Sequence, residues 1–161
     1  MMVIVGAQST LGRAMVRELN KHNFNYLVLA TDSTSQVSWA DGNFIKLQID
    51  ATNLEDWVKE NAEELEFIVC CELLANQAEL DRLASLWTLG YQHQIPLVGV
   101  SQLPKSVEKI MNNIPPPFFW TVLLSENPHS EPEVNNVAQT MYCYIRSRQN
   151  SGIRTLGETP I

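Results

Sequence analysis

Short apolar runs that contain β-branched residues alternate along the chain with segments of helical periodicity. Unbroken apolar runs, or alternation with a period of two, are typical of strands. About six such runs occur, over residues 3–5, 26–32, 44–50, 67–71, 95–101 and 118–124. Apolar positions three and four residues apart predict helices between and after them, over residues 11–21, 52–58, 75–91, 103–114 and 131–148.

This order of elements predicts an α/β fold, a Rossmann-like doubly wound parallel sheet of about six strands with helices on both faces. We expect residues 1–148 to form this single domain and residues 149–161 to form a polar, loose C-terminal tail. Ligands of such sheets bind outside the carboxyl ends of the strands, where the strand order reverses. That rule selects the segments directly after the strands, namely residues 6–12, Asp32, Asp50–Ala51, Cys71–Glu72 and Ser101.

The composition is that of one acidic globular domain. The chain has 161 residues, of which 45% are hydrophobic and 18% charged, with a formal net charge of -7. An acidic chain lacks the basic face that releases phosphate counterions, so we expect neither nucleic acid nor an anionic membrane as a partner.

Cysteine and histidine usage bears on the compartment and on metal binding. The cysteines are Cys70, Cys71 and Cys143, and the first two are neighbours in one apolar run, where successive side chains point to opposite faces. All three are interpreted as small buried residues with free thiols in a reducing compartment. The chain lacks a signal-like N-terminus, so we expect a cytoplasmic protein. The three histidines have no ligand spacing, so no metal is expected.

A glycine pattern links the first strand to the first helix. It reads Gly6-x-x-Ser9-x-x-Gly12, with Ser9 where a third glycine would let backbone amides approach a pyrophosphate. Ser9 either donates a hydrogen bond to the ligand or caps the helix. Asp32 follows Gly12 by 20 residues, a position from which an acid accepts a hydrogen bond from the ribose 2′-hydroxyl. The competing interpretation is a turn of Rossmann shape that binds no ligand.

These residues resemble the extended short-chain dehydrogenase/reductase family, which includes the NAD-dependent epimerases and dehydratases. Within it the chain is most similar to ADP-glycero-manno-heptose 6-epimerases and related nucleotide-sugar epimerases. The segments that carry the likeness are residues 3–12, Asp50-Ala51-Thr52, residues 91–101 and, less closely, residues 123–128. The resemblance implies that NAD or NADP binds at Gly6, Gln8, Ser9, Thr10, Leu11, Gly12, Asp32, Asp50 and Ala51.

The chain departs from that family at its catalytic residues. The family uses a Tyr-x-x-x-Lys pair, which is absent here; Lys105 and Lys109 stand at the corresponding places. A lysine cannot replace the tyrosine, because a second cation beside Lys109 reverses the local electrostatics. Tyr142-x-x-x-Arg146 lies on the apolar face of the last predicted helix and is interpreted as core packing.

These departures favour a non-catalytic domain that acts by binding. The family's substrate lobe is expected to be missing, because 161 residues leave no room for it. The bound partner is either a nucleotide such as NAD(P) or another protein, as in a scaffold or regulatory subunit. The resemblance also implies a dimer through helices 75–91 and 103–114. The alternative is an NAD(P)-dependent nucleotide-sugar epimerase or oxidoreductase with a degenerate site.

Overall fold

The computed structural model describes nine segments of the chain, residues 1–24, 27–31, 44–48, 51–72, 77–101, 108–109, 120–124, 131–147 and 152–155. Within them, seven strands form one sheet: β1 (Met2–Val5), β2 (Leu27–Thr31), β3 (Phe44–Gln48), β4 (Phe67–Cys70), β5 (Leu97–Ser101), β6 (Trp120–Leu124) and β7 (Gly152–Thr155). Their order is β3-β2-β1-β4-β5-β6-β7 and every pair is parallel. The expected Rossmann-like α/β fold is thereby confirmed.

The described helices are α1 (Thr10–Lys21), α2 (Ala51–Asn61), α3 (Gln77–His93) and α4 (Glu131–Ser147), and a 3₁₀ turn (Ala62–Glu64) follows α2. Each lies in a region where the apolar spacing predicts a helix. Of the predicted helix over 103–114, only residues 108–109 are described, and they are helical. No helix in the described segments is long and apolar enough to cross a membrane.

The sheet buries side chains on both of its faces. Met2 and Ile4 of β1 point to one face, where they pack with apolar residues of α1 and α4. Val3 and Val5 point to the other face and pack with residues of α2 and α3. Most buried residues of α4 are ones that the helical spacing selects, namely Val134, Val137, Ala138, Met141 and Ile145. Tyr144 is buried in addition, whereas Tyr142, which the spacing also selects, is half-buried. Because β1 and β4 are covered on both faces, their continuous apolar runs are explained.

The C-terminal tail contains a strand where we expected loose chain. Residues 152–155 form β7, which pairs with β6 from Thr121↔Gly152 to Leu124↔Thr155. The expectation of a domain that ends at residue 148, and of about six strands, was therefore wrong over these residues. The segment Gly-Ile-Arg-Thr is too short and polar for hydrophobic periodicity to reveal. It is ordered by backbone hydrogen bonds to the edge of β6, which the side-chain pattern does not report.

Two aromatic residues on α3 provide a matched test of this packing. Trp87 is 0% exposed, whereas Tyr91, one turn further along the helix, is 52% exposed. We expect Trp87→Ala to lower the free energy of unfolding by about 3–5 kcal/mol, because it leaves a cavity between α3 and the sheet. Tyr91→Ala should change it by no more than about 0.5 kcal/mol. Urea denaturation followed by circular dichroism measures both, and equal losses would contradict this packing.

Candidate functional site

The strand order reverses between β1 and β4, so the crevice expected to hold a ligand lies at the carboxyl ends of these two strands. The backbone of β1 continues into a turn over residues 6–9, and that of β4 continues into Cys71 and Glu72. The amide of Cys71 donates to the carbonyl of Val5 at 2.9 Å, which extends the ladder by one bond. As a result, Gly6 and Glu72 lie side by side.

Gly6 has a backbone conformation that other residues rarely adopt. Its φ is +75°, and a Cβ placed there would lie 3.0 Å from Cγ of Glu72 and 3.3 Å from the carbonyl carbon of Cys71. Both the left-handed conformation and the approach of the β4 end therefore require glycine.

Gly12 is needed for a different reason, the approach of α1 to the turn. A Cβ at Gly12 would lie 2.3 Å from the carbonyl oxygen of Gly6 and 2.7 Å from Cα of Ala7. No side chain fits between the first turn of α1 and the backbone before it. The two glycines of the pattern are therefore required by the fold itself, whether or not a ligand binds.

Ser9 caps α1, the second of the roles that the sequence left open for it. Its backbone is extended, with φ -68° and ψ 162°. Its hydroxyl accepts from the amide of Gly12 at 2.9 Å and lies 2.8 Å from the carbonyl oxygen of Gly6 and 3.2 Å from that of Cys71, both acceptors. The side chain of Ser9, which stands where the family pattern has glycine, thus joins the turn to the residue that follows β4.

Two backbone amides at the start of α1 take no part in this cap. The amide of Ser9 donates to Gly6 at 3.0 Å and that of Gly12 to the Ser9 hydroxyl, which leaves the amides of Thr10 and Leu11. The first turn of α1 contains no acidic residue, so nothing there offsets the positive end of the helix dipole. Thr10 is exposed, whereas the side chain of Leu11 is buried in the core, so Leu11 offers a ligand only its backbone.

Glu72 is a charged residue that the sequence places in this crevice but that was not among the residues expected to bind NAD or NADP. It is only 9% exposed, and its carboxylate forms an ion pair with Nη1 of Arg82 on α3. Its place after the apolar run of β4 is visible in the sequence, and the strand-end rule includes it in the crevice. The sequence does not show the pairing of Glu72 with Arg82, because this contact depends on how α3 packs against the sheet.

Burial and nearby charge also raise the pKa of the Cys71 thiol, next to Glu72 in the chain. Cys71 is fully buried, and this burial raises the pKa of its thiol well above the ordinary value; Cys70 and Glu72 raise it further. Cys70 is buried as well, whereas Cys143 on α4 is exposed, so the expectation of burial was wrong for Cys143. Cys71 is therefore a neutral packing residue, as expected, and not a nucleophile.

The remaining predicted site residues are placed only in part. Gln8 lies half-buried in the turn. Ala51 is the first residue of α2, and Asp32 and Asp50 lie outside the described residues. The crevice therefore brings residues 6–12 together with Cys71 and Glu72, while the role of the two aspartates stays a prediction.

Tyr142 is remote from this crevice. Its ring stacks on that of His22 with centroids 3.9 Å apart and meets Phe24 edge-on at 5.9 Å. His22 caps the C-terminal end of α1, whereas the glycine turn is at the other end of this 12-residue helix. At about 1.5 Å per residue, roughly 18 Å of helix separates the two ends. Tyr142 packs between α1 and α4, in agreement with the sequence interpretation.

Comparison with known proteins bears on the fold. No protein-family model and no curated protein matches the chain. Among solved structures, one match is UDP-glucose 4-epimerase of Thermus thermophilus, in complex with NAD. It has a TM-score of 0.66 at 12% identity, and the alignment covers 98% of this chain and 78% of that one. The two proteins share a fold. The closer resemblance to ADP-glycero-manno-heptose 6-epimerases remains a prediction.

Gly12 and Gly99 provide a matched pair for the contact between α1 and the turn. We expect Gly12→Ala to lower the free energy of unfolding by about 1–3 kcal/mol, because its Cβ overlaps the backbone of Gly6 and Ala7. Gly99→Ala adds the same methyl group to β5, where the nearest atom is Cβ of Cys70 at 3.7 Å. Its effect should stay below about 1 kcal/mol. Chemical denaturation of both variants measures the difference, and a tolerated Gly12→Ala would contradict the close approach.

The thiols give a test of the β4 end. We expect a disulfide reagent at pH 8 to modify Cys143 alone in the folded chain and all three cysteines in denaturant.

The folded chain keeps a proton on Cys71 that the unfolded chain releases above about pH 8.5. The free energy of unfolding should therefore fall as the pH rises above that value, by at most about 1.4 kcal/mol per unit. Cys71→Ala should flatten this slope, and rapid native labelling of Cys71 would refute its burial.

Proposed function

We propose that this protein is a non-catalytic, epimerase-like Rossmann domain that acts by binding a nucleotide at the turn over residues 6–12. The observation that carries the proposal is the start of α1: a glycine-rich turn, the amides of Thr10 and Leu11, and no acid in the first turn. Such a helix start attracts a phosphate group through its amides and its dipole. NAD and NADP are the dinucleotides that the sequence resemblance implies, and the fold shared with an NAD-bound epimerase supports the same crevice.

The residues of the turn fit a phosphate group in one respect and restrict it in another. The space beside Gly6 and Gly12 is filled by Glu72 and by the backbone of the turn, so these glycines fix the shape of the turn. Thr10 and Leu11 would hold the phosphate through their amides, and Asp32 would face the ribose. A bound NAD would supply a hydride-accepting nicotinamide ring. The restriction comes from Glu72, which lies beside Gly6 and brings a carboxylate that is paired with Arg82.

The absence of an acid/base pair supports binding without chemistry. None of the four tyrosines of the chain is followed by a lysine four residues later. Tyr142, which is followed by Arg146, stacks on His22 at the far end of α1. The alternative, a nucleotide-sugar epimerase or oxidoreductase with a degenerate site, draws its support from the shared fold and requires a base from elsewhere.

Self-association and a cytoplasmic location complete the proposal. Tyr91 is a large hydrophobic residue exposed on α3, the described helix for which the resemblance implies a dimer contact. The free thiols fit a reducing compartment. The proposal has a second form, in which the domain binds another protein and not a nucleotide.

Thr10 allows the phosphate contact to be removed without loss of the helix. Proline is favoured at the first position of a helix, and the extended ψ of 162° at Ser9 is compatible with a following proline. Thr10→Pro deletes one amide donor, so we expect nucleotide affinity to fall about tenfold or more, the usual effect of losing a hydrogen bond to a charged group. Thr10→Ala keeps the amide and serves as the control, with unchanged affinity.

The measurements are native mass spectrometry of freshly purified protein, which detects co-purified nucleotide and oligomeric state, and calorimetric titration with AMP, NAD, NADH and NADP. Absence of binding by every nucleotide at millimolar concentration would reject nucleotide binding and leave only the protein-partner form. Conversion of NAD to NADH with a nucleotide sugar would reject the non-catalytic role.

A further inference from the structure

We infer that copies of this chain associate head to tail, with a basic row on α1 of one copy against an acidic row on α2 of the next. The basic row is Arg13, Arg17 and Lys21, and the acidic row is Asp56, Glu60 and Glu64. This association is independent of the proposed nucleotide binding, because neither row includes a residue of the turn over residues 6–12.

The first observation is the basic row. Arg13, Arg17 and Lys21 are all exposed and follow one another at intervals of four residues. Residues four apart lie on the same side of a helix, about 6 Å apart along its axis. Glu18, the only acid of α1, is largely buried and lies 3.2 Å from Nε2 of His22. The outer side of α1 therefore presents three positive charges in a line.

The second observation is the acidic row, which has the same spacing. Asp56 and Glu60 lie on α2, Glu64 lies in the 3₁₀ turn that follows it, and all three are exposed. Glu63 adds a further exposed acid, and Lys59 is the only cation among residues 51–64. Two rows with equal spacing and opposite charge can pair residue by residue.

The neighbouring helices do not cancel either row. On the α1 side, Arg146 of α4 is exposed and lies one helical turn past the residue that stacks on His22, whereas the acids of α4 lie within its first three residues. On the α2 side, the guanidinium of Arg82 is engaged by the carboxylate of Glu72. The α1 side therefore stays basic and the α2 side stays acidic.

The third observation is that the two rows lie on opposite sides of the sheet. α1 packs on the face of Met2 and Ile4, whereas α2 packs on the face of Val3 and Val5. The basic row cannot reach the acidic row of its own chain, so only another molecule can bring the two together. A pair formed in this way still has one basic and one acidic row unoccupied, so further copies can add, whereas a symmetric dimer ends at two copies.

The net charge of -7 opposes this association at long range. At about 0.1 M salt that repulsion is screened beyond about 10 Å, whereas charges in contact lie closer together. Exposed ion pairs are individually weak, so several must form at once. We therefore expect a weak association, with a dissociation constant of about 0.1–1 mM.

Sedimentation equilibrium of the full chain, at protein concentrations up to about 2 mM in about 0.1 M NaCl, measures this association. The average mass of the wild type should keep rising with concentration beyond that of a dimer, and about 1 M NaCl should return it towards the monomer.

Reversing either row should weaken the association about tenfold or more, because attraction becomes repulsion. Arg17→Glu with Lys21→Glu makes both sides acidic, and Asp56→Lys with Glu60→Lys makes both sides basic. An equimolar mixture of the two variants should associate again, because each supplies the row that the other lacks. That recovery also shows that both variants are folded.

The variant with a reversed acidic row separates pairing of the rows from an effect of net charge. Each exchange of an acid for lysine adds two units, so the double exchange changes the net charge from -7 to -3. If net charge governed association, this variant would associate more strongly than the wild type, whereas pairing of the rows requires it to associate more weakly.

Three results would each overturn the inference: a wild type that stays monomeric, a mass that stops at two copies, and a mixture of the variants that fails to associate. None of them bears on nucleotide binding, which the calorimetric titration measures separately.

Discussion

The contact between the first turn of α1 and the backbone of Gly6 organises this end of the molecule. A Cβ at Gly12 would lie only 2.3 Å from the Gly6 carbonyl oxygen, so α1 packs directly on the backbone that follows β1. This close contact fixes the position of α1 relative to β1. That geometry places Ser9 where its hydroxyl meets both Gly12 and the end of β4. The amides of Thr10 and Leu11 take no part in this cap. The crevice is therefore a consequence of backbone packing before any ligand is considered.

Sequence reasoning identified most of the fold because the buried strands contain continuous apolar runs and the helices repeat at 3.6 residues. It missed β7, whose four residues are ordered by pairing with β6 and carry no strong pattern of their own. Within the site, it selected Gly6, Ser9 and Gly12 from their spacing. It could not assign the pairing of Glu72 with Arg82, ten residues apart, because ion pairs between elements depend on tertiary placement. Asp32 and Asp50 remain predictions from the sequence.

The glycine pattern illustrates how one motif supports two explanations. Its spacing resembles a dinucleotide-binding sequence, yet Gly6 and Gly12 are both accounted for by local backbone contacts. Such a pattern can persist in a chain that has lost its ligand, because the fold alone selects against any side chain at these positions. Ligand binding at this turn therefore depends on groups other than the two glycines, such as the amides of Thr10 and Leu11.

The hydroxyl contact between Ser9 and Cys71 has a consequence for the order of folding. It joins residues 62 apart in the chain, whereas the bond from Gly12 to Ser9 spans only three. The local cap can form as soon as α1 nucleates. The contact to Cys71 must wait until β4 has docked beside β1, after the entropy of closing the long intervening loop has been lost. The crevice is thus completed late, by the same step that joins the two halves of the sheet.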